Sequence, residues 1–438
     1  MKKRAFQTRP VQSVCINDIK AKVLELGASV GNDVSKAEFV VCVRYGDGTF
    51  ERPWKAQSTK DMELLVGLLK ELNQIRAVAI GLESTGTYGD AFRQALTDAG
   101  LDVRRVSGAA CEAYAETFDG VPSQHDAKDA AIIAELVAFG KSQPWPWRAG
   151  SSQEQELECW VQWLTIQQET EQAWLGRIEA WLGRHWPELT ELIELGTATL
   201  VRVLSEYGDP AALVRDAEAK RKLARWGGSF LVPEKIAAIL ESARRTVGVR
   251  VTPAMAEQVQ RFAAEVQCCR TEKDRALQKM AELAGDHAVI QALATVVGFT
   301  TACVAWVTVG DVRDYSSGAA YRKAMGLNLK ERSSGKHKGQ LKITKRGSGL
   351  LRRWLYFAAL RLSQKAEIKP WYEAKKKKEN GRAGKALVAI MRKLPLAMYQ
   401  VAARGARYEE SLLFPGSPLP KAPRDKRVRE PDESLARA

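Results

Sequence analysis

Between residues 25 and 139, short β-branched runs alternate with helical apolar spacing. Their order, β-β-β-α-β-α-β-α, restricts this segment to a mixed sheet with helices packed on it. VLELGASVGNDV (23–34) reads as a strand. EFVVCVRY (38–45) is a second, followed by a Gly46-Asp47-Gly48 turn and a short third strand at Thr49–Arg52. Leucines and a methionine at helical spacing give a helix over Ser58–Leu72. Arg76–Leu82 is a compact apolar strand, Tyr88–Ala99 a helix and Leu101–Val106 a strand, and two helices run on to about Phe139.

Four acidic residues sit where this pattern gives them meaning. Asp33 and Glu83 each end an apolar strand, and the carboxyl ends of strands are where open α/β sheets place their sites. Asp126 and Asp129 are three apart in SQHDAKDAAIIAELVAF, so they share one helix face near a helix start. Lys128 lies between them and is expected to temper their repulsion. One acidic residue alone is usually a solvated charge. Two strand-end carboxylates with an i,i+3 pair instead make a candidate cage for hard divalent cations, Mg²⁺ or Mn²⁺. Two such ions about 3.5–4 Å apart suit phosphoryl transfer.

Charge divides the chain. Of its 438 residues, 67 are Lys or Arg and 52 Asp or Glu, a net of +15. Residues 25–139 hold 11 basic and 18 acidic side chains, a net of −7. Residues 321–393 hold 22 basic and 4 acidic, a net of +18. An acidic part able to hold cations is joined to a basic part able to hold phosphates. Seven cysteines without a CxxC pair, and four histidines, argue against structural zinc and point to a reducing cytoplasm. No 18-residue apolar run is present, so no membrane span is expected. MKKRAFQTRPVQ lacks the apolar core of a signal peptide.

The expected organisation is an N-terminal extension (1–24), the acidic α/β domain (25–143), a helical coiled-coil region (144–287), a basic helical domain (288–405) and a disordered tail (406–438). Apolar stripes predict long helices over 151–183 and Pro253–Leu283, which are expected to hold subunits together. Ala288–Val309 reads as helix, turn and helix around Gly298, followed by a short helix capped at Ser316 or Ser317. Residues 330–349 are rich in Lys, Arg, Gly and Ser, and read as a surface loop or short hairpin. The helix after them, Gly349–Ser363, packs through Leu351, Leu355, Ala358 and Ala359. The candidate phosphate contacts are Lys330, Arg332, Lys336, Lys338, Lys342, Lys345, Arg346, Arg352 and Arg353.

Four motifs carry a resemblance: DVSK (33–36), ESTGTY (83–88), QHDAKDA (124–130) and GLNLKERSSGKHKGQLKITKRGSGLLRR (326–353). The chain resembles the insertion-sequence transposases of the DEDD type with a second, serine-bearing domain, the bridge-RNA-guided recombinases. It departs from their pattern at VGFT (297–300), at Leu329 in place of a proline, and at Gln124-His125 in place of Lys-Thr. The resemblance implies a ribonuclease-H-like (RuvC-like) first domain with Asp33, Glu83, Asp126 and Asp129 as catalytic metal ligands. It also implies a catalytic serine at Ser334, or Ser333 if the register slips by one, that links covalently to DNA. The implied partners are donor and target DNA, a noncoding guide RNA from the element, and further copies of the chain forming a dimer and then a tetramer. Two other readings stay open: a RuvC-like nuclease using the same carboxylates with metal-activated water, and a noncatalytic nucleic-acid scaffold.

Overall fold

The computed structural model describes residues 7–84, 86–121, 125–147, 150–331, 339, 341–409 and 413–414. The chain divides into two compact units, Met1–Ala149 and Gly150–Ala438.

The first unit is a seven-stranded mixed sheet with helices on both faces. Its elements are β1 (Arg9–Pro10), α1 (Ile16–Leu26), β2 (Ala28–Val34), β3 (Phe39–Tyr45), β4 (Trp54–Ala56), α2 (Thr59–Ile75), β5 (Ala79–Glu83), α3 (Asp90–Asp98), β6 (Asp102–Val106), α4 (Gly108–Asp119), α5 (Asp126–Ala138) and β7 (Ser142–Pro144). The strand order is β1-β4-β3-β2-β5-β6-β7, with β2, β5 and β6 parallel and β3 antiparallel to β2. This architecture is consistent with a ribonuclease-H-like fold. Alternation along the central strands sorts two layers. Val30 and Val34 of β2 and Val41 and Val43 of β3 join α1, α2 and α3 on one face. Val40 and Cys42 of β3 meet Ala127, Ala130 and Ala131 of α5 on the other.

Two boundaries differ from the sequence reading. Val23–Leu26 belongs to α1, because Gly27 at φ +73° ends the helix before β2 begins. The apolar residues of helix and strand run together in sequence, so they read as one strand. The third strand also comes later than expected. Within Thr49–Arg52 only Phe50 makes an isolated bridge, to Arg44, and Pro53 follows before regular pairing begins at Trp54.

The second unit is mostly helical. It runs through α6 (Ser152–His185), α7 (Leu189–Leu192), α8 (Ala198–Tyr207), α9 (Pro210–Arg215), α10 (Ala219–Gly227), α11 (Pro233–Arg245) and α12 (Pro253–Ala284). It continues with α13 (Ala288–Val297), α14 (Phe299–Val309), α15 (Gly318–Ala324), the hairpin β8 (Leu329–Lys330) and β9 (Lys342–Ile343), α16 (Gly349–Ser363), α17 (Lys369–Lys378) and α18 (Ala383–Arg404). A Ser151/Glu154 capping box starts α6, and Thr252 with Pro253 starts α12.

The two long helices are antiparallel partners within one chain. Leu157, Val161 and Leu164 of α6 share a core with Ala276, Met280 and Ala284 of α12, and with α13–α18. Toward the other end, Leu175, Ile178 and Leu182 meet Val259, Ala263 and Val266 and the small helices α7–α11. Between these ends the buried Glu171 bridges Arg270 at 2.8 Å and Lys273. The apolar stripes expected to hold subunits together are therefore largely covered inside the chain. A second expectation also shifts. By length and composition α18 is apolar enough to cross a membrane, although it holds no 18-residue apolar run. Ala386, Leu387, Ile390, Met391, Leu394 and Met398 bury that apolar character in the unit's core.

Candidate active site

Strand pairing brings the first two carboxylates together. The parallel register of β2 with β5 ends at Asn32 opposite Leu82, and Asp33 and Glu83 are the next residue on each strand. Both lie two residues beyond a glycine, so they face the same way as Gly31 and Gly81. That face belongs to α5. A Cβ at Gly31 would overlap the Ala130 carbonyl oxygen and stand 3.0 Å from Ala134 Cα, and one at Gly81 would lie 2.9 Å from Ile133 Cγ2. The two glycines let the helix lie directly on the strands.

The direction of α5 brings in the other two. Ser29 donates a hydrogen bond to the Ala134 carbonyl at 2.9 Å, while Gly31 lies against Ala130 and Ala134. Moving along β2 toward Asp33 thus means moving back along α5 toward its first turn, which carries Asp126 and Asp129. His125 caps that turn, its Nδ1 accepting from Lys128 N–H at 3.2 Å. Here a histidine performs the capping for which Ser, Thr or Asp is the usual choice.

Electrostatics report the result. Burial, then repulsion from Asp126, Asp129 and Glu83, raises the Asp33 pKa from 3.8 to about 7. Burial and Asp129 push Glu83 up, and burial is the main cause that raises Asp129. Cys111 on α4 registers the same charges from outside. Burial first, then Glu83, Asp129 and Asp33, push its thiol to about 12. The four carboxylates are close enough to feel one another, yet among the described residues no three acidic, histidine or cysteine groups draw in to a closed metal cage. These hard oxygen donors, with Asp33, Glu83 and Asp129 half-buried and Asp126 exposed, fit Mg²⁺ or Mn²⁺ better than any softer ion.

Lys128 does little of the tempering expected of it. Its buried ammonium binds Asp119 at 2.7 Å and the Val121 carbonyl at 2.6 Å, and it is the weakest of the influences on Asp129. Sequence reasoning missed Glu38, in the turn between β2 and β3. The Lys55 ammonium hydrogen-bonded to Glu38 is the main cause holding it below the ordinary glutamate range, with Asp126 and Gln57 acting in the same sense. The signal available was its position just after DVSK. Its contact with Asp126, far along the sequence, was not visible.

In the second unit, Lys330 and Lys342 face each other across the β8–β9 hairpin, and both are exposed. Lys345, in the left-handed region at φ 57°, and Arg346 are exposed beyond it. Arg352 bonds the Gly347 carbonyl at 2.8 Å, and Arg353 pairs with Glu169 of α6 at 3.0 Å, so these two are partly committed within the chain. Arg332, Ser333, Ser334, Lys336 and Lys338 lie outside the described residues.

A family model of the DEDD IS110 type, described as a transposase, matches residues 30–171, and one described as a transposase of the IS116/IS110/IS902 family matches residues 292–376. The chain belongs to the IS110/IS902 family of transposases. No curated protein matches it. The transposase is accordingly an enzyme that acts on DNA, which ends the scaffold reading.

The DEDD match also corrects the serine reading. It assigns an acidic, metal-dependent nuclease mechanism, and not a covalent serine–DNA intermediate at Ser334 or Ser333. The chemical reason is direct. A serine hydroxyl is a weak nucleophile without an activating base, whereas four clustered carboxylates are suited to cations that activate water.

Proposed function

We propose that this transposase breaks DNA strands by hydrolysis at Asp33, Glu83, Asp126 and Asp129, with Mg²⁺ or Mn²⁺ as cofactor, on a ribonuclease-H-like, RuvC-like domain. The observation that carries the reading is that strand register and the close seating of α5 gather four carboxylates at the carboxyl edge of β2 and β5, where burial, then the charges of Asp126, Asp129 and Glu83, raise Asp33 to about 7. When bound, the metal supplies activation of water and stabilisation of the departing oxygen. The protein supplies the geometry. Rigid strands fix Asp33 and Glu83, and the capped first turn of α5 fixes Asp126 and Asp129.

The partners proposed are donor and target DNA and a noncoding RNA from the element, held by the basic stretch 321–393. Of the candidate phosphate contacts, Lys330, Lys342, Lys345 and Arg346 are exposed. Self-association to a dimer and then a tetramer is proposed from the resemblance alone, and sedimentation of the whole chain with and without RNA tests it.

The deciding experiment incubates the full chain and that RNA with DNA carrying the element ends. Cleavage should require Mg²⁺ or Mn²⁺. It should fall by about 10³-fold or more in Glu83→Gln, the scale at which a key transition-state stabiliser is lost. Ser333→Ala and Ser334→Ala should both still cleave, without a denaturation-resistant protein–DNA adduct. Metal-independent cleavage would refute the proposal.

A further inference from the structure

Glu83 reaches the site past the start of α4, and the residue it passes is Gly108. A Cβ on Gly108 would overlap Glu83 Oε1 and lie 3.1 Å from its Cδ. Nothing in the backbone calls for glycine there, since Gly108 is absent from the positive-φ residues. Its position, the first residue of α4, is one where alanine would normally favour the helix. Glycine at 108 therefore answers to the carboxylate beside it.

We infer that Gly108 is a positioning residue that holds open the space in which the Glu83 carboxylate faces Asp33 and Asp129. Any side chain at 108 drives Glu83 into another rotamer, away from Asp129, the neighbour whose charge it feels. The inference rests on the metal-site reading proposed above.

The test uses Mn²⁺ alone, titrated calorimetrically into the metal-free full-length protein. Gly108→Ala should weaken Mn²⁺ binding by about tenfold or more, the scale of losing a group that orients a metal ligand. Its melting temperature without metal should match the parent's or exceed it. Shortening the colliding side chain should undo the effect. In a Glu83→Asp background, Gly108→Ala should cost less than about twofold, a coupling that a merely structural role for Gly108 would not produce. If Gly108→Ala alone melts far below the parent, the double variant should melt higher, and a melt that stays low overturns the inference. Unchanged Mn²⁺ binding in Gly108→Ala, with weaker binding in Glu83→Gln, overturns this inference alone. Unchanged binding in both overturns the metal-site reading with it.

Discussion

Asp33 carries a conflict between stability and chemistry. Its pKa rises from 3.8 to about 7 in the folded protein, and Glu83 and Asp129 shift the same way. The folded state therefore binds more protons than the unfolded chain across that interval, so without metal stability falls as pH climbs from about 4 to 7. Glu38 and Asp119 are shifted down by their lysines, and the stability they contribute is lost only below the ordinary carboxylate range. Between pH 5 and 8 the cluster decides. The metal-free protein should melt at higher temperature at pH 5 than at pH 8, and Mg²⁺ should recover much of the loss at pH 8. Asp33→Asn should raise the metal-free melting temperature at pH 8, flatten the pH dependence and abolish cleavage. Thermal melts at the two pH values, with EDTA and with Mg²⁺, check all of this. Residue-level legibility follows the same physics. The four carboxylates could be found because each sits at the end of a local pattern. Glu38 and Gly108 could not, since each matters through a neighbour dozens of residues away that only packing supplies.

At the scale of elements, the seating of α5 on β2 is the critical contact. Gly31 and the alanines at 127, 130, 131 and 134 bring helix and strand together. Gly31→Ala would force them apart against backbone atoms. It should cost about 1–3 kcal/mol or more, as overpacking does, and cleavage should drop further than stability alone explains, because Asp126 and Asp129 move with the helix. Chemical denaturation beside a cleavage assay separates the two effects. Most helices could be read from sequence. Ser317 caps α15 by accepting from Ala320 N–H, and Leu351, Leu355, Ala358 and Ala359 bury one face of α16. Failures came where a local rule met a longer-range one. Val23–Leu26 is apolar enough for a strand, yet Gly27 ends a helix there, and the stripes of α6 and α12 read as subunit contacts because nothing local shows that two distant segments match.

For the whole molecule, the uneven charge makes binding a matter of salt. With a net of +18 over residues 321–393, affinity for DNA should fall steeply with ionic strength. Six phosphate contacts would give a log–log slope of about −5. Lys342→Glu should weaken binding to all sequences alike and make that slope shallower, readable by fluorescence anisotropy from 50 to roughly 300 mM salt. The pairing of α6 with α12 has a further consequence, in time rather than space. The core residues of the first unit all come from its own sequence, so it can fold as it leaves the ribosome. The apolar face of α6 cannot be covered so soon, because 67 residues separate His185 from Pro253, where its partner begins. Leu157, Val161 and Leu164 meet the far end of that antiparallel partner, and Ala276 follows Leu164 by 112 residues. At about 5–20 residues per second they are synthesised but unpaired for roughly 6–22 s. Translation speed across residues 165–284 therefore sets how long each new chain is open to aggregation or to a helix from a neighbouring nascent copy.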